Sequence, residues 1–210
     1  MTPTSTYCCY PISHAVPTST TITTNAELLM QKLTSITDLT GPRELSFALD
    51  QQSILEQSWL EQLSKSLDEE FDSISVFYRP RGYNNHRAHV DLLYTGQINT
   101  AALNFVIQDD THTTTTSQMV WYPSPDNMTV KPSIEALAGP YASWSIDQLG
   151  KPLDTMRLVP NQLYLVRTDV PHTVDMQLDE PARWCISIRG KTLRTRAWHK
   201  TVDKLYIPND

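Results

Sequence analysis

The sequence predicts a mainly β domain, a jelly-roll barrel supported by two helices near its N-terminal end. From residue 73 onward, short β-type runs alternate with turn residues, and no long helical period is visible. Before that point, apolar residues recur at helical spacing. The chain has 210 residues, which suits one domain with a sizeable core.

Two helices are expected in a supporting segment, residues 25–72. The first follows an N-cap at Thr24 or Asn25 and stops at Gly41-Pro42. The second starts at a possible capping box of Ser53 and Glu56. Its apolar stripe consists of Leu55, Trp59, Leu60, Leu63, Leu67 and Phe71. We expect both helices to pack their apolar faces on a sheet.

Eight strands are expected in the barrel core, residues 73–190, where turn signals separate the β-type runs. These strands are Ile74–Tyr78, His89–Tyr94, Ala101–Ile107, Gln118–Tyr122, Arg157–Val159, Leu163–Arg167, His172–Leu178 and Arg183–Arg189. Residues 134–149 show no clean period and are interpreted as an insertion or lid.

The two ends of the chain are predicted to lie outside the core. Residues 1–24, rich in Thr, Ser and Pro, are interpreted as a flexible leader, or at most an edge strand. Residues 191–210 form a C-terminal extension whose basic stretch is expected to be solvated. Residues 25–210 then make up a single domain.

Composition restricts the partners and the compartment. The formal net charge of −6 disfavours binding to a nucleic acid, because affinity for a phosphate backbone comes largely from basic residues. There is neither a signal-peptide pattern nor an apolar run of about 20 residues. The three cysteines fit neither a disulfide framework nor a zinc site. We therefore expect a cytoplasmic protein without a membrane anchor; its oligomeric state is not indicated.

A short motif at the start of one predicted strand has metal-ligand spacing. In a strand, residues i and i+2 point to the same face, so His89 and Asp91 project together. His172 opens another predicted strand and can supply a third ligand. Two histidines and one carboxylate are the ligand set of non-haem Fe(II) sites, which leave coordination positions open. The alternative is a structural His–Asp pair and a turn-capping histidine.

The last predicted strand carries an unusual polar face. By alternation, Arg183, Cys185, Ser187 and Arg189 share one side of it. An inward guanidinium needs an anionic partner, and a dicarboxylate ligand would supply one through a bidentate fork. If the strand is an edge, the two arginines would instead form surface ion pairs with Asp175 or Glu180.

Together, His89, Asp91, His172, Arg183, Ser187 and Arg189 resemble the site of the iron(II)/2-oxoglutarate-dependent oxygenases. The resemblance covers residues 73–189 and implies a double-stranded β-helix (jelly-roll, cupin-like) core. It also implies Fe(II) on the three ligands, 2-oxoglutarate anchored by Arg183 or Arg189, and O₂ as oxidant. The products would be succinate, CO₂ and a hydroxylated substrate. Residues 88–91, 101–105 and 119–122 are similar to the aspartyl/asparaginyl β-hydroxylase branch, whereas the paired arginines are similar to the DNA-repair demethylase branch.

The expected substrate is a small amino acid or a peptide-like compound. Arg79, Arg81 and Arg87 flank the first ligands and could pair with a substrate carboxylate, and Trp121 is a further candidate contact. Two other functions remain open. One is a cupin-type metal enzyme without 2-oxoglutarate, and the other is a metal-free jelly-roll binding module.

Overall fold

The computed structural model describes residues 7–13, 45–49, 55–79, 83–84, 86–93, 95–107, 117–126, 141–160, 162–176 and 183–206. In these residues the strands are β1 Cys9–Ile12, β2 Leu45–Leu49, β3 Phe71–Arg79, β4 Arg87–Asp91, β5 Ala101–Ile107, β6 Gln118–Trp121, β7 Tyr141–Ser145, β8 Asp154–Arg157, β9 Leu163–Arg167, β10 His172–Asp175 and β11 Arg183–Gly190. The helices are α1 Gln57–Leu67, the 3₁₀-helix Ile146–Gln148, and α2 Trp198–Tyr206.

The strands form two antiparallel sheets. The larger sheet has the order β1-β9-β5-β11-β3-β2, and the smaller has the order β7-β4-β10-β6-β8. From β3 to β6 and from β8 to β11 the chain alternates between the sheets, so neighbours within a sheet are rarely neighbours in sequence. This is the predicted jelly-roll fold, and the fold class is confirmed.

Strand alternation gives the larger sheet two different faces. Ile186 and Ile188 of β11 belong to an apolar cluster that also contains Leu63 of α1 and Val202 of α2. The intervening residues, such as Ser187, point to the other face and line a pocket between the sheets. Helices therefore cover the outer face of this sheet, and its inner face is available for a site.

Helix α1 agrees with the predicted supporting helix except at its ends. Glu56 is the N-cap and makes no side-chain cap hydrogen bond, while Ser53 lies outside the described residues. The helix stops at Asp68, whose φ of 46° is left-handed. Phe71 was wrongly included in the helical stripe, because it begins β3. The other predicted helix, after Thr24, also lies outside the described residues.

Four further segments refine the prediction or differ from it. Cys9–Ile12 of the expected leader form an edge strand paired with β9, which is the alternative that the sequence left open, and Cys8 and Cys9 are buried, so this part is not a flexible segment. The expected insertion contains β7, which pairs with β4 along its whole length. The C-terminal extension contains α2, and Asp154–Arg157 form a strand that was expected to begin at Arg157.

A buried carboxylate fixes the chain just after β11. Glu69 is 4% exposed and accepts hydrogen bonds from the backbone N–H groups of Thr192 (2.7 Å) and Leu193 (3.2 Å), and from the Thr192 hydroxyl. Gly190 lies directly against this carboxylate, since a Cβ there would be 2.7 Å from Glu69 Cδ. The end of β11 is thus held to the segment before β3.

Neither described α-helix is long and apolar enough to cross a membrane.

Candidate metal centre

Two adjacent strands of the smaller sheet bring the predicted ligands together. His89 and Asp91 lie on the same face of β4, and His172, the first residue of β10, is paired directly with His89. The two imidazole centroids are 4.5 Å apart. One donor atom from each of His89, Asp91 and His172 lies within 4.8 Å of the others. Facial ligands at a metal–ligand distance of about 2.1 Å lie about 3 Å apart, so the three donor atoms would move closer together to bind one ion.

The protonation states suit metal binding. Burial lowers the pKa of His172 to about 4, and it also lowers the pKa of His89. Burial alone would raise the pKa of Asp91, but the charge of Arg189, with smaller effects of His172 and His89, lowers it to about 2. Near neutral pH the site therefore presents two neutral imidazoles and one carboxylate, each with a lone pair to donate.

Hydrogen bonds and ion pairs with neighbouring groups orient the three candidate ligands. His172 Nδ1 donates to the carbonyl of Val170 at 3.0 Å, which leaves Nε2 as the donor atom for a metal. Asp91 Oδ1 is 3.5 Å from His89 Nε2, whereas Asp91 Oδ2 forms an ion pair of 2.8 Å with Arg189 Nη1. The two oxygens of this carboxylate therefore have different environments.

A pocket between the two sheets opens from the triad. Its described lining is Phe77, Arg79, His89, Asp91, Asn104, Met119, Thr168, His172, Thr173, Val174, Arg183, Cys185, Ser187 and Arg189. Among these residues there are three arginines and one carboxylate, Asp91. Because Asp91 is paired with Arg189, positive charge is in excess in the rest of the lining, which favours an anionic ligand.

Two of the arginines in the pocket lining are buried. Arg183 is 6% exposed and pairs across the sheet with Arg79 of β3, which is 5% exposed. Arg79 Nη1 donates to the carbonyl of Val174 at 2.7 Å. Arg183, Cys185, Ser187 and Arg189 all line the pocket, so the polar face of β11 points toward the triad. β11 lies between β5 and β3 and is therefore an inner strand of the sheet. The alternative of an edge strand whose arginines form surface ion pairs does not apply.

The candidate substrate residues lie in different environments. Arg87 is exposed on the strand face of His89, and its guanidinium donates to the hydroxyl of Ser143 at 2.8 Å. Arg81 lies outside the described residues. Trp121 is fully buried, and its indole Nε1 donates to the carbonyl of Arg167, so it is a core residue and does not line the pocket. The Trp121 prediction fails because the paired strands bury that side chain.

Strand β7 adds residues that the sequence did not indicate. Tyr141 is paired with Asp91, and its ring lies edge-on to His89 at 5.9 Å. Ser143 is paired with His89 and holds Arg87. Asn104 of β5 also lines the pocket. The alternation of Tyr141, Ser143 and Ser145 was the available signal, but it is too short to distinguish a strand from a loop.

Comparison with solved structures gives relatives of the fold. A prolyl-4-hydroxylase from Pseudomonas putida matches with a TM-score of 0.51 and 13% identity, over 92% of this chain and 95% of that one. The chain shares its fold with that enzyme. A prolyl hydroxylase from Trichoplax adhaerens, in complex with a peptide fragment of the hypoxia inducible factor oxygen degradation domain, matches with a TM-score of 0.49 and 13% identity, over 89% and 84% of the chains. HygX from Streptomyces hygroscopicus, with nickel and 2-oxoglutarate bound, has a TM-score of 0.47 and 10% identity, over 86% and 80%. No family model and no curated protein matches the sequence.

Proposed function

We propose that this protein is a non-haem Fe(II)- and 2-oxoglutarate-dependent oxygenase that hydroxylates a small amino-acid or peptide-like substrate. The observation that carries the proposal is that the His89, Asp91 and His172 cluster lines the same pocket as buried arginines. The donor set is the one typical of non-haem Fe(II) sites. The fold shared with a prolyl-4-hydroxylase is consistent with this chemistry.

In this proposal the three ligands hold Fe(II), and Arg183 binds the distal carboxylate of 2-oxoglutarate. A guanidinium presents two parallel N–H donors to a carboxylate, and burial strengthens such a pair. Arg183 is preferred to Arg189 because Arg189 is already bound to Asp91. Ser187 lies between the two arginines on the same strand face and supplies a hydroxyl donor.

The bound iron and 2-oxoglutarate, with O₂, supply the oxidation of a substrate C–H bond with release of succinate and CO₂. The protein's residues position the reactants and exclude water. Val174, Met119 and Phe77 contribute the apolar part of the pocket lining. His89 retains 25% side-chain exposure, which leaves the ligands accessible from outside. The approach proposed for a substrate is from the β4–β7 side, where Arg87 is exposed.

The proposed substrate surface is the face shared by β4 and β7. Arg87 lies two residues from His89, about 7 Å along the strand, and Ser143 orients its guanidinium. Tyr141 contributes a half-buried ring beside His89. A cation and an aromatic ring at this distance from the triad suit a substrate with a carboxylate or a peptide carbonyl.

A metal-free binding module is the second candidate, and one observation favours it. The ion pair between Asp91 and Arg189 satisfies the carboxylate charge without an ion. In such a module His89 and His172 would be structural, and 2-oxoglutarate turnover would not occur.

Succinate formation tests the proposal. The full chain is incubated with Fe(II), 2-oxoglutarate, O₂ and a panel of free amino acids, short peptides and single-stranded oligonucleotides. We expect succinate to be released with an amino acid or a peptide, and His172→Ala to abolish it. Release with oligonucleotides alone would contradict the proposed substrate class, and no 2-oxoglutarate turnover under any condition would favour the binding module. Arg87→Ala should weaken the stimulation by substrate.

A further inference from the structure

The carboxylate of Asp91 is held asymmetrically. Its Oδ1 faces His89 Nε2 at 3.5 Å, and its Oδ2 is bound by Arg189 Nη1 at 2.8 Å. Both partners of this ion pair are largely buried, with 11% exposure for the Arg189 side chain and 13% for Asp91. The pair joins β11 of the larger sheet to β4 of the smaller sheet across the pocket.

We propose that Arg189 is a positioning residue that restricts Asp91 to one metal-ligating oxygen. The inference rests on the proposed function, because it concerns the same metal centre. Oδ1 faces His89 and is the oxygen available to an ion, while Oδ2 is engaged by the guanidinium. A carboxylate can bind a metal through one or two oxygens, and the second mode takes an additional coordination position. Arg189 thus keeps positions open for a chelating oxo acid and O₂.

The position of Arg189 is fixed from both sides of the residue. In β11 it is paired with Ser73 of β3, and the register shifts directly after it, between Arg189 and Gly190. The following segment is anchored by Glu69 through the backbone of Thr192 and Leu193. The guanidinium therefore approaches Asp91 from a rigid strand end, as a partner that orients a ligand requires.

Metal affinity in the absence of any oxo acid tests this role. Ni(II) and Co(II) are titrated into the metal-free full chain by equilibrium dialysis. The variant is Arg189→Met, which keeps an unbranched apolar stem and removes both the donor and the charge. Arg194→Met is the matched control, since Arg194 also forms an ion pair of 2.6 Å, with Asp72, and does not line the pocket.

Removing Arg189 frees both oxygens of Asp91 for the ion and takes a positive charge away from the site, so Ni(II) binding should become tighter. The lost charge alone would tighten binding with Asp91 still bound through one oxygen, so a crystal structure of Ni(II)-loaded Arg189→Met separates the two causes. We expect Arg189→Met to have a lower Kd for Ni(II) and both Asp91 oxygens on the ion, and Arg194→Met to leave the Kd within about twofold while lowering thermal stability. A higher or unchanged Kd, or one Asp91 oxygen on the ion in Arg189→Met, would overturn the inference.

A crystal structure of the Ni(II)-loaded wild-type protein gives a second, direct readout. We expect Oδ1 of Asp91 on the ion and Oδ2 still bound to Arg189. Both oxygens on the ion, with Arg189 displaced, would overturn the inference while leaving the proposed function intact. If the wild-type chain binds neither Ni(II) nor Co(II) at this cluster, the proposed function itself fails.

Discussion

Gly190 and Glu69 are predicted to be energetically coupled through their close approach. In Gly190→Ala, the new Cβ would lie 2.7 Å from Glu69 Cδ and closer still to its Cγ and Oε1. Carbon atoms do not approach this closely, so Glu69 must move away from the end of β11. Its hydrogen bonds to the backbone N–H groups of Thr192 and Leu193 would then be lost.

The magnitude follows from those two groups. The buried N–H of Leu193 costs about 1–3 kcal/mol when it loses its acceptor, and the part-buried bond of Thr192 contributes about 1 kcal/mol, so the loss is about 2–4 kcal/mol. Glu69→Ala removes the same acceptor and should destabilise the fold by a similar amount. In the Glu69→Ala background the space beside Gly190 is open, so adding Gly190→Ala should cost less than about 1 kcal/mol.

The assay is urea denaturation of the wild type, both single variants and the double variant, followed by tryptophan fluorescence. The expected free energies of unfolding are strongly non-additive, with a coupling of about 2 kcal/mol or more. Ser66→Ala is a control on the neighbouring helix, since it should add its effect independently. Additive losses, or a Gly190→Ala variant as stable as wild type, would refute the close packing of Glu69 on β11.

Three further predictions concern charge and protonation. Arg183→Lys keeps the charge but loses the planar guanidinium, so the Kd for 2-oxoglutarate in isothermal titration should rise by about tenfold or more, while the affinity for Ni(II) stays the same. An unchanged Kd for 2-oxoglutarate would transfer the carboxylate-binding role to Arg189. Burial holds the pKa of His172 at about 4, below the ordinary 6.5. The neutral form of His172 therefore makes its full contribution to the free energy of unfolding of the metal-free protein above about pH 6.5. That contribution should be lost as the pH falls toward 4, so urea midpoints should decrease over this range, and less so in His172→Gln. Burial raises the pKa of Cys8 to about 11 and raises those of Cys9 and Cys185; mass spectrometry should therefore show slow alkylation of all three by iodoacetamide in the native state at about pH 8, and rapid alkylation after unfolding.

Local periodicity explains why part of the site could be predicted from the sequence. His89 and Asp91 share a face because a strand repeats every two residues, and the same rule aligned Arg183, Ser187 and Arg189. Ala101–Ile107 and Leu163–Arg167 were predicted with the bounds that the structure has, because turn residues flank each of these runs.

Long-range contacts explain what could not be predicted. The ion pair between Arg189 and Asp91 joins different sheets, and no local pattern encodes it. Strand β7 is paired along one edge only in the described sheet, with β4, and its five residues give an alternation too short to identify a strand. Cys9–Ile12 gain their strand conformation from pairing with β9, more than 150 residues away.

The central claim is that His89, Asp91 and His172 bind Fe(II) next to a site for 2-oxoglutarate. The most direct test is to add Fe(II) and 2-oxoglutarate to the full chain without oxygen and to record the visible spectrum. A charge-transfer band between metal and oxo acid is expected for the wild type, absent in His172→Ala, and requiring a higher 2-oxoglutarate concentration in Arg183→Lys. No band in the wild-type protein at saturating Fe(II) and 2-oxoglutarate would contradict the account.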